Sequence, residues 1–110
     1  MAINKNAFLS ALKRVALFTN PESMAVKIEV SKDKIVMSKN TPYLGEARVE
    51  MDAEYKGKDI SVGFNPQYLI DLLKSINEER VGFELVDAEK PGVIRIGGGY
   101  VYVVLPMQLT

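Results

Sequence analysis

A chain of 110 residues suits one domain with its own hydrophobic core, and 47% apolar and 25% charged residues are ordinary for a folded domain. Fourteen basic and fourteen acidic residues give a formal net charge of zero, so any contact with nucleic acid must come from local clusters of basic side chains. Cysteine and histidine are both absent, which excludes disulfides, zinc–thiolate sites and catalysis by Ser-His-Asp or Cys-His groups.

The sequence carries no membrane or targeting signal and no catalytic cluster. No apolar run approaches the roughly 18 residues of a membrane-spanning helix, and the N-terminus lacks a signal-peptide pattern, so the expected location is the cytoplasm. Asp71, Glu78, Glu79 and Asp87 are scattered at spacings that suit neither acid–base catalysis nor a metal. We therefore expect no metal, no cofactor and no enzymatic activity of the chain itself.

Residues 3–15 predict an amphipathic helix. Asn4 is a favoured helix-capping residue, and apolar side chains then recur at helical spacing, at Phe8, Leu9, Leu12 and Val15. Polar side chains form a separate stripe on the same helix, at Asn6, Ser10, Lys13 and Arg14.

Four strands are predicted after this helix, because apolar and polar residues alternate there. They cover residues 26–30, 35–37, 45–52 and 60–64. Lys32-Asp33 and residues 55–58 are the predicted turns.

Residues 64–76 repeat the pattern of the first helix. Asn65 again precedes the helix, Pro66 fits its first position, and apolar residues recur at Leu69, Leu72, Leu73 and Ile76. The second polar stripe has the same spacing as the first, at Gln67, Asp71, Lys74 and Ser75. Further strands follow at 81–85, at 93–96 and from residue 100, with turns at 87–92 and 97–99.

The order of these elements predicts a single α+β domain over residues 1–110. Its two halves each contain one helix followed by three strands, and one more strand lies between the halves. Because short turns join the strands, we expect antiparallel sheets with both helices packed on one side of them.

The chain ends in an apolar tail. Residues 100–105 are all apolar or aromatic, with no charged residue among them. Pro106 has no N–H group with which to continue a sheet. Met107 and Leu109 are therefore expected to leave the sheet and lie on the surface. Exposed methionine and aliphatic side chains are typical of adaptable peptide-binding surfaces. The alternative is that the tail folds back and packs on its own domain.

Three phrases of the sequence resemble one family closely. They are Ala11-Leu12-Lys13-Arg14-Val15, the run from Gly63 to Leu73 that contains Phe-Asn-Pro-Gln-Tyr-Leu, and the ending Leu105-Pro106-Met107-Gln108-Leu109. With the twofold repeat, they resemble the C-terminal third of the bacterial sliding clamp, the β subunit of DNA polymerase III, from about residue 4 to residue 109. The family has three such domains per chain, two of which are missing here, and Gln108 stands where it often has arginine.

The resemblance implies the DNA-clamp fold and a replication role. Clamps of this family are head-to-tail dimeric rings that encircle duplex DNA, line the hole with helices and tether the polymerase. The two polar stripes would then face DNA without sequence preference, with these residues near phosphates: Lys5, Lys13, Arg14 and Lys74. The alternative for these residues is an ordinary solvated helix face.

The resemblance also implies a pocket for short peptides of polymerases, the clamp loader and repair proteins. It would be shared with the missing middle domain, and this chain would contribute Asn65, Tyr68, Val93, Val103, Val104, Leu105, Pro106, Met107 and Gln108. An apolar slot with a few polar groups suits peptide anchors. Tyr68 taken alone is more often a core aromatic residue.

A third implied surface is the seam between subunits of the ring. Leu17 and Phe18, at the end of the first helix, resemble the apolar pair that faces the partner subunit's N-terminal domain. Apolar residues at a helix end equally often cap the core of their own domain.

Two other functions stay open on the sequence. A stand-alone peptide-binding or assembly module would use the same tail with Asn65 and Tyr68, without encircling DNA. A sequence-specific DNA-binding protein is poorly supported, because there is no basic cluster or recognition-helix pattern. Salt-dependent DNA affinity that falls when Lys13 and Arg14 are changed to glutamate would favour the clamp role.

Overall fold

The computed structural model describes residues 1–19, 24–41, 45–97 and 99–107. In these ranges the chain forms two helices and eight strands. Their bounds are β1 Ala2–Asn4, α1 Lys5–Ala16, β2 Val26–Ser31, β3 Lys34–Thr41, β4 Gly45–Asp52, β5 Ile60–Phe64, α2 Pro66–Lys74, β6 Arg80–Glu84, β7 Gly92–Ile96 and β8 Tyr100–Val104. The predicted α+β architecture is confirmed.

The strands form two four-stranded antiparallel sheets, in the orders β1-β6-β7-β8 and β4-β3-β2-β5. Each sheet includes one strand from the other half of the sequence. β1 precedes α1 but pairs with β6, and β5 precedes α2 but pairs with β2. The prediction of three strands in each half misses β1, because three residues are too few for an alternating pattern.

The first helix forms as its capping residue predicts. Oδ1 of Asn4 accepts a hydrogen bond from the backbone N–H of Ala7 over 2.9 Å. The helix buries the side chains of Phe8, Ala11, Leu12 and Val15. It packs against α2 and against strands of the β4-β3-β2-β5 sheet, which agrees with the expected placement of both helices on one side.

Three phenylalanine rings connect α1 with both sheets at the centre of the core. Phe83 of β6 lies 5.4 Å from Phe8 of α1 and 6.0 Å from Phe64 of β5, measured between ring centroids. All three side chains are fully buried. Because truncation of such a ring leaves a cavity, replacing Phe83 by alanine should cost about 3–5 kcal/mol.

The two helices are also joined through a lysine. The Nζ group of Lys5, at the start of α1, donates to the carbonyl oxygen of Ile76 over 2.6 Å. Ile76 lies just beyond the end of α2, where carbonyl groups have no partner within the helix and a positive charge is favourable. This bond fixes one end of α2 against the start of α1.

The predicted turn at Lys32-Asp33 joins β2 to β3. Asp33 has φ +56°, a left-handed conformation that aspartate tolerates better than most residues. Its N–H donates to the carbonyl oxygen of Tyr55 over 2.9 Å, and its Oδ1 accepts from the N–H of Tyr55 over 3.2 Å. These two bonds tie the hairpin to the segment that precedes β5.

An ion network covers the solvent face of β3 and β4. The carboxylate of Glu50 lies 3.0 Å from Nζ of Lys34 and 3.4 Å from the guanidinium of Arg48. The hydrogen bond and charge of Lys34, followed by those of Arg48, hold the pKa of Glu50 below its ordinary value. Val36, directly opposite Glu50 on β3, is buried beneath this network.

Neither helix in the described ranges is long and apolar enough to cross a membrane. The described side chains contain no group of three or more carboxylates that could hold a metal ion.

Candidate functional site

The tail leaves one sheet and reaches the other. β8 ends at Val104, as Pro106 predicts, and the backbone N–H of Met107 then donates to the carbonyl oxygen of Gly63 on β5 over 2.7 Å. The expectation that Met107 leaves its sheet is confirmed, but its backbone is held against the edge of the second sheet rather than lying loose on the surface. Its side chain remains exposed. Gln108 and Leu109 lie outside the described residues.

The bridge to Gly63 brings the tail beside the beginning of α2. Gly63 is followed by Phe64, and then by Asn65, whose Oδ1 caps the helix by accepting from the N–H of Gln67 over 2.9 Å. In the described part of the chain the side-chain NH₂ group of Asn65 has no hydrogen-bond partner. It is therefore a donor that a ligand can use.

Tyr68 lies in the first turn of α2 with 68% of its surface exposed. The alternative that it belongs to the core is therefore wrong. The helix turns Leu69 and Ile70 into the core instead, and Tyr68 falls on the opposite side, near the polar stripe. A phenol in this position offers an apolar ring and a hydroxyl group at the same surface.

The second part of the site is the solvent face of β7 and β8. Val93 and Val103 are directly opposite each other in the ladder, with Val93 half-buried and Val103 exposed. Leu105, one residue beyond β8, is 71% exposed. Pro106 is half-buried between Leu105 and the bridge.

Val104 differs from its neighbours. Its side chain is 7% exposed and its Cα partner across the ladder is Gly92. A Cβ atom built on Gly92 would lie 3.0 Å from Cζ of Phe64, so the phenyl ring of Phe64 packs directly against Gly92. Val104 is therefore part of the core beneath the site rather than of its surface. Phe64, which packs against Gly92 opposite Val104, lies two residues before the start of α2.

Sequence reasoning missed Gly63 and Gly92, which make these two connections. For Gly63 the available signal was a glycine inside a predicted strand, which marks a close approach of another backbone or side chain. Gly92 was placed in the predicted turn at 87–92, whereas it is the first residue of β7. Gly63 supplies the carbonyl that holds Met107, and Gly92 leaves room for Phe64.

The helix residues predicted to face DNA do not share one environment. Lys13, Arg14 and Lys74 are exposed in the last turns of the two helices, and in the part of the chain that the structure describes they make no hydrogen bond or ion pair. Lys5 is half-buried and already donates one of its three N–H groups to Ile76. Cations at helix C-termini also stabilise the helix dipole, so a structural role stands beside the predicted one.

Leu17 and Phe18 separate at the end of α1. Leu17 is 77% exposed, so it does not cap the core. Phe18 is half-buried, and its carbonyl oxygen accepts a hydrogen bond from the hydroxyl of the buried Thr41. The exposed member of the pair is thus the one available to another surface.

Comparison with known proteins decides the family. A profile of the C-terminal domain of the DNA polymerase III beta subunit matches residues 1–108. The chain belongs to this family. A beta sliding clamp of Chlamydia muridarum is 34% identical over 107 residues, and one of Pseudomonas aeruginosa is 32% identical over 101 residues.

Solved clamp structures show the same domain. The DNA polymerase III beta subunit of Thermotoga maritima superposes with a TM-score of 0.92 at 29% identity, covering 99% of this chain and 30% of that chain. A sliding clamp of Bartonella birtlesii bound to griselimycin gives a TM-score of 0.91 at 29% identity, covering 97% and 29%. The sliding-clamp domain fold is therefore confirmed.

The chain spans less than a third of these clamps. The alignments cover 97% of this chain but 29% of the Chlamydia muridarum clamp, and 90% but 28% of the Pseudomonas aeruginosa clamp. The match thus concerns one clamp domain.

Proposed function

We propose that this domain acts as the C-terminal part of a DNA replication processivity factor, a non-catalytic accessory of the polymerase. In this role it would dock polymerases, the clamp loader and repair proteins through short peptides. Family membership supports the role, and a cytoplasmic location, as the sequence predicts, accords with it.

The bond between Met107 and Gly63 is the observation that carries the peptide site. It brings the tail beside the start of α2, where Tyr68 is exposed and the NH₂ group of Asn65 has no partner among the described residues. Leu105 and Val103 supply exposed apolar surface on the adjoining strand. Apolar anchors of an extended peptide would pack on the aliphatic side chains, while Asn65 and Tyr68 would orient its backbone.

The contribution to DNA binding would be electrostatic. Lys13, Arg14 and Lys74 would approach phosphates, and each contact would add about −0.9 to the slope of log affinity against log salt. A ring holds DNA by topology, so it needs only weak attraction, which is consistent with the formal net charge of zero.

The alternative is a peptide-binding or assembly module that does not encircle DNA. The exposed side chains of Val103, Leu105 and Tyr68 would serve such a module without any part in DNA binding. Both functions use the tail and α2, so peptide binding alone does not separate them. Salt-dependent DNA affinity does.

An NMR titration tests the peptide site. The labelled chain is titrated with a peptide of the Gln-x-x-Leu-Phe type, and a scrambled peptide serves as the control. Amide shifts confined to Asn65, Tyr68 and residues 103–107 are expected. Tyr68→Ala should weaken the response, whereas Tyr100→Ala, at an equally exposed tyrosine on β8, should not. An unchanged response in Tyr68→Ala would contradict the assignment.

A further inference from the structure

An ion pair lies beside the aliphatic surface of β7 and β8 to which the peptide site is assigned. Val93 and Arg95 are two residues apart on β7, so their side chains project from the same face of the sheet. Glu84 and Val103 are the ladder partners of Val93 on either side, and they share that face. Nε of Arg95 donates to Oε2 of Glu84. The aliphatic surface therefore has a charged border on the side away from the tail.

The guanidinium of Arg95 has donors to spare. Its side chain is 57% exposed, and Glu84 engages only Nε. The two terminal NH₂ groups have no hydrogen-bond partner among the described residues. They form a planar edge that matches the two oxygens of a carboxylate. The ladder partners of Arg95 are Gly82, which has no side chain, and Val101, so neither of them competes for these donors.

The positive member of the pair lies nearer to β8 than the negative one. Arg95 is on the strand adjacent to β8 and is the diagonal neighbour of Val103, a relationship that places Cα atoms about 7–8 Å apart. Glu84 lies one strand further away, at about 10 Å from Val103 for two strand spacings. A ligand on the exposed valines of β8 therefore meets the guanidinium before it meets the carboxylate.

We propose that Arg95 selects peptides that carry an aspartate or a glutamate directly after their apolar anchors. This role of Arg95 depends on the proposed peptide site. Asn65 and Tyr68 lie at one end of that site and would face the polar start of a Gln-x-x-Leu-Phe peptide, whereas the Leu-Phe anchors would pack on exposed aliphatic side chains such as Val103. The residue after the anchors then passes Arg95, and the free edge of the guanidinium receives its carboxylate.

The alternative is that the ion pair only stabilises the sheet across neighbouring strands. A matched pair in the same sheet separates the two roles. Arg80 pairs with Glu54, and its side chain is 56% exposed, almost the same as that of Arg95. Arg80 precedes Glu84 by four residues on β6, so it lies about 13 Å from the row that contains Val93. A structural role would alter the binding of all peptides alike, whereas selection alters the ratio between an acidic and a neutral peptide.

NMR titrations of the full 110-residue chain test the selectivity. Two peptides of the Gln-x-x-Leu-Phe type differ only in the residue after the phenylalanine, which is aspartate in one and asparagine in the other. Both peptides are acetylated and amidated, so that no terminal carboxylate competes. The aspartate peptide should bind about two- to fivefold more tightly, the range that exposed ion pairs give, and this preference should shrink as salt is added.

Arginine variants assign the preference to its residue. Arg95→Gln should abolish the preference without weakening the asparagine peptide, and Arg80→Gln should leave the preference unchanged. Arg95→Glu should reverse it, so that a peptide with lysine after the phenylalanine binds more tightly than the aspartate peptide. Circular dichroism checks the fold of each variant.

The outcomes separate this role from the peptide site itself. Equal affinities of the two peptides for the unmodified chain, or a preference that persists in Arg95→Gln, would overturn the role of Arg95 and leave the site intact. Failure of both peptides to shift the amides of the site would overturn the site, and the role of Arg95 with it.

Discussion

The backbone N–H of Met107 donates to the carbonyl oxygen of Gly63 across 2.7 Å, and this bond joins the end of the described chain to the other sheet. It sets the position of Leu105 and Pro106 relative to Asn65 and Tyr68. The candidate site therefore depends on a backbone contact, whereas its side chains supply the chemistry.

Truncation after Leu105 tests this dependence. The fold should persist, because the loss of one such hydrogen bond changes stability by only about 0.5–1.5 kcal/mol. Peptide binding should be lost, because Pro106 and Met107 are removed with the bridge. Truncation after Met107 is the matched control, and it should retain at least part of the binding. Peptide affinity equal to that of the full chain in the shorter truncation would exclude the assigned site.

Gly92→Ala should destabilise the domain by about 1–3 kcal/mol. The new Cβ atom would lie 3.0 Å from Phe64, 3.1 Å from Leu85 and 3.2 Å from Phe83, so three core side chains would have to move. Gly97→Ala is the control, since a Cβ atom there meets nothing within 4 Å. Thermal unfolding measures the stability of both variants. Equal melting temperatures for the two variants would show that the core around Gly92 accommodates the added methyl group without strain.

The double variant Lys13→Glu/Arg14→Glu should weaken binding to linear duplex DNA and flatten its salt dependence. Both side chains are exposed, and in the described residues neither has a protein partner, so the fold should be unaffected. Fluorescence anisotropy across a salt series gives the affinity and its slope. Lys56→Glu/Lys58→Glu, at two exposed lysines in the segment before β5, makes the same change of net charge and serves as the control. If both variants weaken binding equally, the helix surface is not the DNA-binding face.

Stability should fall in acid, partly through Glu50. Its pKa is lower in the folded chain than its ordinary value of 4.5, because Lys34 and then Arg48 favour the carboxylate. The contribution is therefore present above pH 4.5 and is lost as the pH falls through the folded-state pKa. Asp87, whose pKa is lowered chiefly by the N–H of Glu89, acts in the same direction.

Urea unfolding at a series of pH values isolates the contribution of Glu50. Glu50→Gln should reduce the loss of stability between pH 5 and acid. Glu46→Gln, on the same strand and without an ion pair among the described residues, should not. Parallel acid curves for Glu50→Gln and the unmodified chain would assign the acid sensitivity elsewhere.

Local sequence patterns predicted much of the fold. Asn4 and Asn65 mark the helix starts because a capping side chain bonds within three residues of itself. The strands of each half follow from alternation along single segments. The pairing of Ala2 with Gly82 and of Gly63 with Met107 connects distant parts of the chain, and no local pattern encodes it.

The sequence predicted which residues belong to the candidate site better than it predicted whether each side chain is exposed or buried. The resemblance pointed to Tyr68 and Val104 alike, yet the structure exposes the first and buries the second. Alternation along β8 places Val104 and Tyr102 on the same face of the sheet. Val104 is buried there, whereas Tyr102, two residues earlier in the strand, is exposed. How far the core reaches along an edge strand depends on tertiary packing.

The exchange of β1 and β5 between the halves has a consequence for folding. Neither half of the sequence contains all the strands of one sheet. A nascent N-terminal half lacks β5, and until β6 emerges its first strand has only the single bridge between Ala2 and Glu54. Contacts between residues some eighty positions apart carry a large loop-closure cost, which favours slow folding of the domain as a whole over stepwise assembly of two repeats. The two repeats therefore form one interlocked unit, in which neither has the strands to complete a sheet alone.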